Sequence, residues 1–166
     1  SDLAGKTIMT TEPKFIPEEA VQITAMDGAT MNVRLIDCVG YIVPSAIGYI
    51  ENDQPRMVRT PWLAMEIPFN MAAEIGTEKV IKEHSTIGMV ITTDGSISDI
   101  PRSEYAEAET RVVEELKAIN KPFIVLLNCV EPNSQQAQEL AAELSAQYGV
   151  AVRPVNCLNL NEEAIT

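Results

Sequence analysis

The sequence predicts a three-layer α/β domain with a mixed sheet and helices on both faces. Three observations carry this. From Ala72 onward, segments of helical and of strand periodicity alternate, the pattern of parallel strands joined by right-handed crossovers. The run 122–127 is apolar throughout, as a central parallel strand covered on both faces must be. Ahead of these lie two strand-like runs separated by Asp27-Gly28, a hairpin turn signal. At 166 residues and 46% hydrophobic content the chain is long enough for one compact domain, 1–166. Aromatics make up only 5%, so Val, Ile, Leu, Ala and Met must fill its core.

Taken in order, 14–25 and 31–36 read as the antiparallel pair. A proline-rich stretch of roughly thirty residues follows Gly40, longer than an ordinary connection. It holds Arg56, Arg59 and the single tryptophan, Trp62. Residues 72–84 read as a helix and 87–92 as a short apolar strand that ends in the turn Thr93-Asp94-Gly95. Residues 103–119 form an amphipathic helix with Ser103 as its cap and Val112, Val113, Leu116 and Ile119 as its apolar stripe. After the strand 122–127 comes a helix, 134–148, closed by Gly149, and a last strand, 151–155.

Composition excludes several classes of partner. A net charge of −12 argues against a nucleic-acid backbone and against an anionic membrane surface as direct ligands. No apolar stretch approaches the ~20 residues of a membrane span. An odd number of cysteines without framework spacing points to a reducing compartment, and small buried thiols are the expectation for Cys38, Cys129 and Cys157. There is no secretory signal. A chain beginning at Ser1 rather than Met is expected to be a segment of a longer protein.

The chemistry concentrates in Val33-Arg34-Leu35-Ile36-Asp37-Cys38-Val39-Gly40, a strand that stops at an acid followed three residues later by glycine. An aspartate at a strand's carboxyl end suits the Mg²⁺ of a bound triphosphate, and a glycine N–H suits its γ-phosphate. Thr10 and Thr11 precede the hairpin as hydroxyl-bearing loop residues, with Thr10 a second candidate for Mg²⁺. Gly5-Lys6-Thr7 is not read as a phosphate loop, because β-branched residues and Pro13 follow it where a helix should open. The motif G-x-x-x-x-G-K-[ST] occurs nowhere. Tyr41 stands where many related hydrolases keep a water-orienting glutamine. Asn128-Cys129-Val130-Glu131 has the spacing of the guanine-reading N-K-x-D, with cysteine in place of lysine, so strict guanine specificity is not expected. Asn156–Asn159 ends the last strand and completes the candidate loops at the strands' carboxyl ends. His84, the only histidine, lies at a helix carboxyl end and serves its dipole.

A hairpin feeding D-x-x-G, then alternating helix and strand, is the order of a small GTPase-like domain entered at its second strand. Longer strings narrow this further. Ala4-Gly5-Lys6-Thr7-Ile8-Met9-Thr10-Thr11-Glu12-Pro13-Lys14-Phe15, Arg34-Leu35-Ile36-Asp37-Cys38-Val39-Gly40-Tyr41 and Glu83-His84-Ser85-Thr86-Ile87-Gly88 resemble the stage IV sporulation protein A family. So do Val90-Ile91-Thr92-Thr93-Asp94-Gly95 and Asn120-Lys121-Pro122-Phe123-Ile124. The resemblance implies an ATPase domain of P-loop type, related to translation-factor GTPases and here missing its first strand, P-loop and first helix. It makes Thr10 and Thr11 sensor threonines, Asp37 the Walker B acid acting on Mg²⁺ through water, and Gly40 its partner. Asn128, Glu131 and Asn156 fall on the base side. It further implies that ATP hydrolysis in the parent drives self-assembly into a polymer underlying the spore coat. The site of assembly would be the forespore's outer surface in the mother-cell cytoplasm, with other coat proteins and a small amphipathic membrane peptide as partners. Without a phosphate cradle, these 166 residues alone are expected to be inactive and to hold neither ATP nor Mg²⁺. Two other readings remain open at this stage: a non-catalytic assembly module using the 42–71 loop, and a GTP-specific switch.

Overall fold

The computed structural model describes residues 14–38, 40–46 and 49–160. The chain divides into two units, 1–42 with 46–85 and 43–45 with 86–166.

In the first unit, β1 (Lys14–Thr24) pairs antiparallel with β2 (Thr30–Asp37). The turn forms as Asp27-Gly28 requires. Gly28 takes φ +83°, the Asp27 carboxylate accepts from Ala29 N–H at 2.9 Å, and Ala25 N–H donates to Ala29 O at 2.8 Å. Register shifts between Ile16 and Val21, so the strand bulges where Pro17 removes a donor. Ile16, Val21, Ile23, Met31 and Leu35 remain exposed, and the Arg34 guanidinium sits 4.6 Å from the centre of the Phe15 ring.

The proline-rich stretch is not an open loop. It contains two short hairpins, β3 (Ile50–Glu51) with β4 (Gln54–Pro55) and β5 (Met57–Val58) with β6 (Ile67–Pro68). Asn52 and Asp53 turn the first at positive φ, a conformation their short polar side chains tolerate. Val58 and Ile67 bury against Ala72 of α1 (Phe69–Lys79), which starts three residues earlier than periodicity indicates and runs into a π-helical turn, Val80–His84. Trp62 lies 5.4 Å from the Lys79 ammonium, and Arg59 pairs with Glu66 at 3.4 Å.

The second unit is a parallel sheet, β7 (Gly88–Thr93), β8 (Phe123–Asn128) and β9 (Val152–Val155), in the order β7-β8-β9. The crossovers are α2 (Arg102–Ala118) and α3 (Gln135–Tyr148). Leu127, Cys129 and Val113 of α2 pack with Ala137, Ala141, Leu144 and Tyr148 of α3 in one core. Val125 and Leu127 are fully shielded, each burial stabilising by about 1.5–3 kcal/mol. Ser134 caps α3 through Ala137 N–H at 3.2 Å, and Gly149 ends it in the left-handed region at φ +66°. For α2 the expected cap is corrected: the helix opens one residue earlier, Pro101 occupies the cap position, and no side chain closes it.

The strands fall into several small sheets among the described residues. The hairpin and the parallel strands form separate sheets, because no described strand pairs with the free edge of β2 or of β7. Within the second unit both helices pack into one core with Leu127. The opposite face, carrying Met89, Ile91 and Ile124, is exposed. The uniformly apolar run 122–127 is therefore a strand shielded on one side among the described residues. No helix of the described residues is long and apolar enough to cross a membrane.

Candidate functional site

Asp37 is the last residue of β2, opposite Lys14 across the ladder. It is exposed, and its carboxylate makes no hydrogen bond or ion pair with another described residue. Gly40 takes φ +78°, and nothing lies within 4 Å of where a Cβ would stand. The backbone there can approach a ligand closely. Between them Cys38 is half-buried: burial pushes its thiol up, against the opposing pull of the Gly40 amide and the Thr77 hydroxyl. Thr10 and Thr11 lie outside the described residues.

In the second unit the register Thr93↔Asn128↔Val155 aligns the carboxyl ends of all three parallel strands, so the following loops emerge together. A web of hydrogen bonds ties them. Cys129 N–H donates to Val155 O at 2.8 Å and Asp94 N–H to Asn128 O at 3.4 Å. Val130 N–H donates to Ser96 Oγ at 3.0 Å, and Cys157 N–H to Asn128 Oδ1 at 3.0 Å. Asn156 donates through Nδ2 to Val130 O at 3.2 Å and caps the 3₁₀ turn Cys157–Asn159 by accepting from Leu158 N–H at 3.0 Å. Glu131 is exposed on the same loop. A cleft of about 820 Å³ flanks these loops, lined by Val130, Asn133, Gln138, Arg153, Asn156 and Asn159.

Asn128 and Asn156, chosen from spacing, are thus brought into one network, and Glu131 adjoins it. Cys129 is fully buried, and its Sγ lies 3.1 Å from Leu127 O. Burial first, then the neighbouring Asp94, pushes its thiol up to about 12, so it stays protonated and inert. No group of three or more His, Cys, Asp or Glu side chains among the described residues is arranged to hold a metal.

Sequence reasoning missed the polar core beneath these loops. Glu109, 5% exposed, accepts from both terminal nitrogens of the Arg102 guanidinium, with Arg102 Nη2 at 2.8 Å from Oε1. It also accepts from Thr92 Oγ1 and, at 2.6 Å, from the Tyr148 hydroxyl. Burial alone would raise the Glu109 pKa. The hydrogen bonds from Arg102, Thr92 and Tyr148 outweigh burial and hold the carboxyl below the usual range. The one available signal was the spacing of Arg102 and Glu109, two turns apart on a helix and hence on one face. Gly95 closes against this group: a Cβ there would stand 2.8 Å from Arg102 N.

A hairpin ending in an acid-x-x-glycine loop, and a parallel unit with converging strand-end loops, define an α/β domain of the kind that binds ligands beyond its strands' carboxyl ends. The chain belongs to the family described as Stage IV sporulation protein A, ATPase domain, which matches residues 1–166. It is 53% identical over 162 residues to Stage IV sporulation protein A of Bacillus subtilis (strain 168), covering 98% of this chain and 33% of that relative. The Bacillus anthracis protein of that name is 55% identical over 159 residues, covering 96% and 32%. That of Clostridioides difficile (strain 630) is 50% identical over 162 residues, covering 98% and 33%. The chain therefore spans about a third of the length of these curated relatives. No solved structure gives a significant match.

Proposed function

We propose that the full-length protein hydrolyses ATP, and that hydrolysis drives its self-assembly into a polymer of the spore coat. The observation that carries the first part is Asp37, an exposed carboxylate at a strand end with no hydrogen bond or ion pair among the described residues, followed by Gly40 at positive φ in a chain of an ATPase-domain family. Asp37 suits Mg²⁺ held through water, since the ion keeps much of its hydration and takes one or two carboxylates. Thr10 and Thr11 would supply hydroxyls beside it. When bound, Mg²⁺ neutralises charge on the transferring phosphoryl oxygens. Gly40 presents a backbone N–H with no side chain to obstruct it. Asn128, Glu131 and Asn156 hold the base. Assembly takes place at the forespore's outer surface in the mother cell. Other coat proteins and a small amphipathic membrane peptide are its partners.

In the full-length protein, Asp37→Ala is expected to abolish Mg²⁺-dependent hydrolysis and the ATP-dependent formation of sedimentable polymer. Unchanged turnover would overturn the assignment. Turnover of GTP above ATP would return the GTP-specific switch. Sedimentation independent of nucleotide would favour an assembly module. The 166 residues alone, without G-x-x-x-x-G-K-[ST], are expected to show no heat of Mg·ATP binding by calorimetry; micromolar affinity would refute that.

A further inference from the structure

Val130 stands between Asn128 and Glu131 with its side chain exposed, so packing does not fix its place. Its backbone does. The Val130 carbonyl accepts from Asn156 Nδ2 at 3.2 Å, and its N–H donates to Ser96 Oγ at 3.0 Å. The residue is thus gripped from both flanking loops, the one after β9 and the one after β7.

Ser96 is held in its role. Its hydroxyl donates to Asp94 Oδ1 at 2.5 Å, and the same oxygen accepts from Ser96 N–H at 3.0 Å. A carboxylate only accepts, so the hydroxyl proton is taken by Asp94 and the lone pairs of Oγ are left for the Val130 amide. A bond of that length to an ionised acceptor is roughly twice as strong as a neutral one. The loop carrying the pair is itself braced. Gly95 N–H donates to Thr93 Oγ1 at 3.0 Å, Arg102 Nη1 donates to Thr93 O at 3.4 Å, and a Cβ on Gly95 would stand 2.8 Å from Arg102 N. Ser96 therefore offers its acceptor from a fixed point. The neighbouring bond between the same loops, Asp94 N–H to Asn128 O, is longer at 3.4 Å. We propose that Ser96, oriented by Asp94, is a positioning residue of the nucleotide site: its hydroxyl sets the Val130 peptide and with it the course of the chain from Asn128 to Glu131. Without the acid the hydroxyl could turn its proton toward Val130 and lose the bond; Asp94 removes that state.

This rests on the reading that these loops hold the base, and the experiment separates the two. In the full-length protein, amide hydrogen exchange and steady-state ATP hydrolysis are measured for the unaltered sequence and for Ser96→Ala, Ser96→Thr and Asp94→Ala. Ser96 is exposed, so its alanine variant folds. Ser96→Ala is expected to speed exchange in 129–133 and to raise KM for ATP roughly 3- to 10-fold with kcat little changed, as for the loss of one hydrogen bond that serves binding alone. Asp94→Ala should act in the same direction, and Ser96→Thr, which keeps the hydroxyl, should restore both readings. Unchanged exchange in 129–133 overturns the proposal whatever the base does. Faster exchange spread through 86–160 makes the role structural only and overturns it as well. Faster exchange confined to 129–133 with an unchanged KM means that Ser96 holds the loop but the loop does not hold the base, and the underlying reading fails.

Discussion

Removing Glu109 tests how much the buried Arg102–Glu109 pair within α2, which meets β7 through Thr92, stabilises the second unit. Its side chain is 2% exposed and that of Arg102 is 23% exposed. In Glu109→Leu the guanidinium is left largely buried without its counter-charge, a loss of about 3–5 kcal/mol for such pairs. The partial exposure of Arg102 lets water reach it, which favours the lower end. The two hydroxyls add little, because Tyr148 keeps Thr110 at 3.2 Å and Thr92 keeps Arg102 at 3.4 Å. The total is about 3–4 kcal/mol, with roughly 1 of it from the weakened hydroxyl contacts. Replacing both partners, Arg102→Met with Glu109→Leu, removes the stranded charge and should cost about half of that or less. Urea denaturation of the two single variants and the double gives the coupling directly, about 1.5 kcal/mol or more in the sense that the double is milder than the sum. If the single losses simply add, the pair is not coupled and the ion-pair account of this core is wrong.

Other outcomes follow from the same contacts. Because the Glu109 pKa is held below its ordinary value of 4.5, its contribution is full above that pH and is lost as pH falls through the depressed folded value; acid unfolding of Glu109→Leu should lack that component. Gly95 and Gly149 both sit at positive φ, but only Gly95 has backbone against its missing Cβ. Gly149→Ala should thus cost about 1 kcal/mol and Gly95→Ala distinctly more by denaturant melts, with equal losses refuting the steric argument. Ser134→Ala should lower stability by about 1 kcal/mol through the lost α3 cap, while Ser103→Ala in uncapped α2 should stay within about 0.5 kcal/mol.

Local signals gave the second unit with few errors. Alternation of period, a serine before 135–148 and a glycine after it are properties of neighbouring residues, and the helix and strands formed where those lie. Errors arose where distant residues decide. Phe69 and Pro68 start α1 early because Ile67 and Val58 form a ladder ahead of it, a pairing that no local pattern reveals. No local pattern singles out Glu109, yet it is buried because Arg102, Thr92 and Tyr148 meet it from three elements. The run 122–127 read as covered on both faces, yet Ile124 is exposed, because apolar character alone does not say on how many sides a strand is covered.

By itself the sequence determined the family, the order of elements and the acid-x-x-glycine loop at Asp37 and Gly40, since each is a statement about residue types at fixed spacing. It also named Asn128, Glu131 and Asn156. Only the tertiary structure decided how the Asn128 carboxamide is held. The orientation of the Asn128 carboxamide is imposed by Cys157, 29 residues away in the chain. The amides at these strand ends are engaged by Ser96, Val155 and Asn156. Spacing brings donors and acceptors to one edge of a sheet; which of them remain free depends on partners that only folding brings within reach.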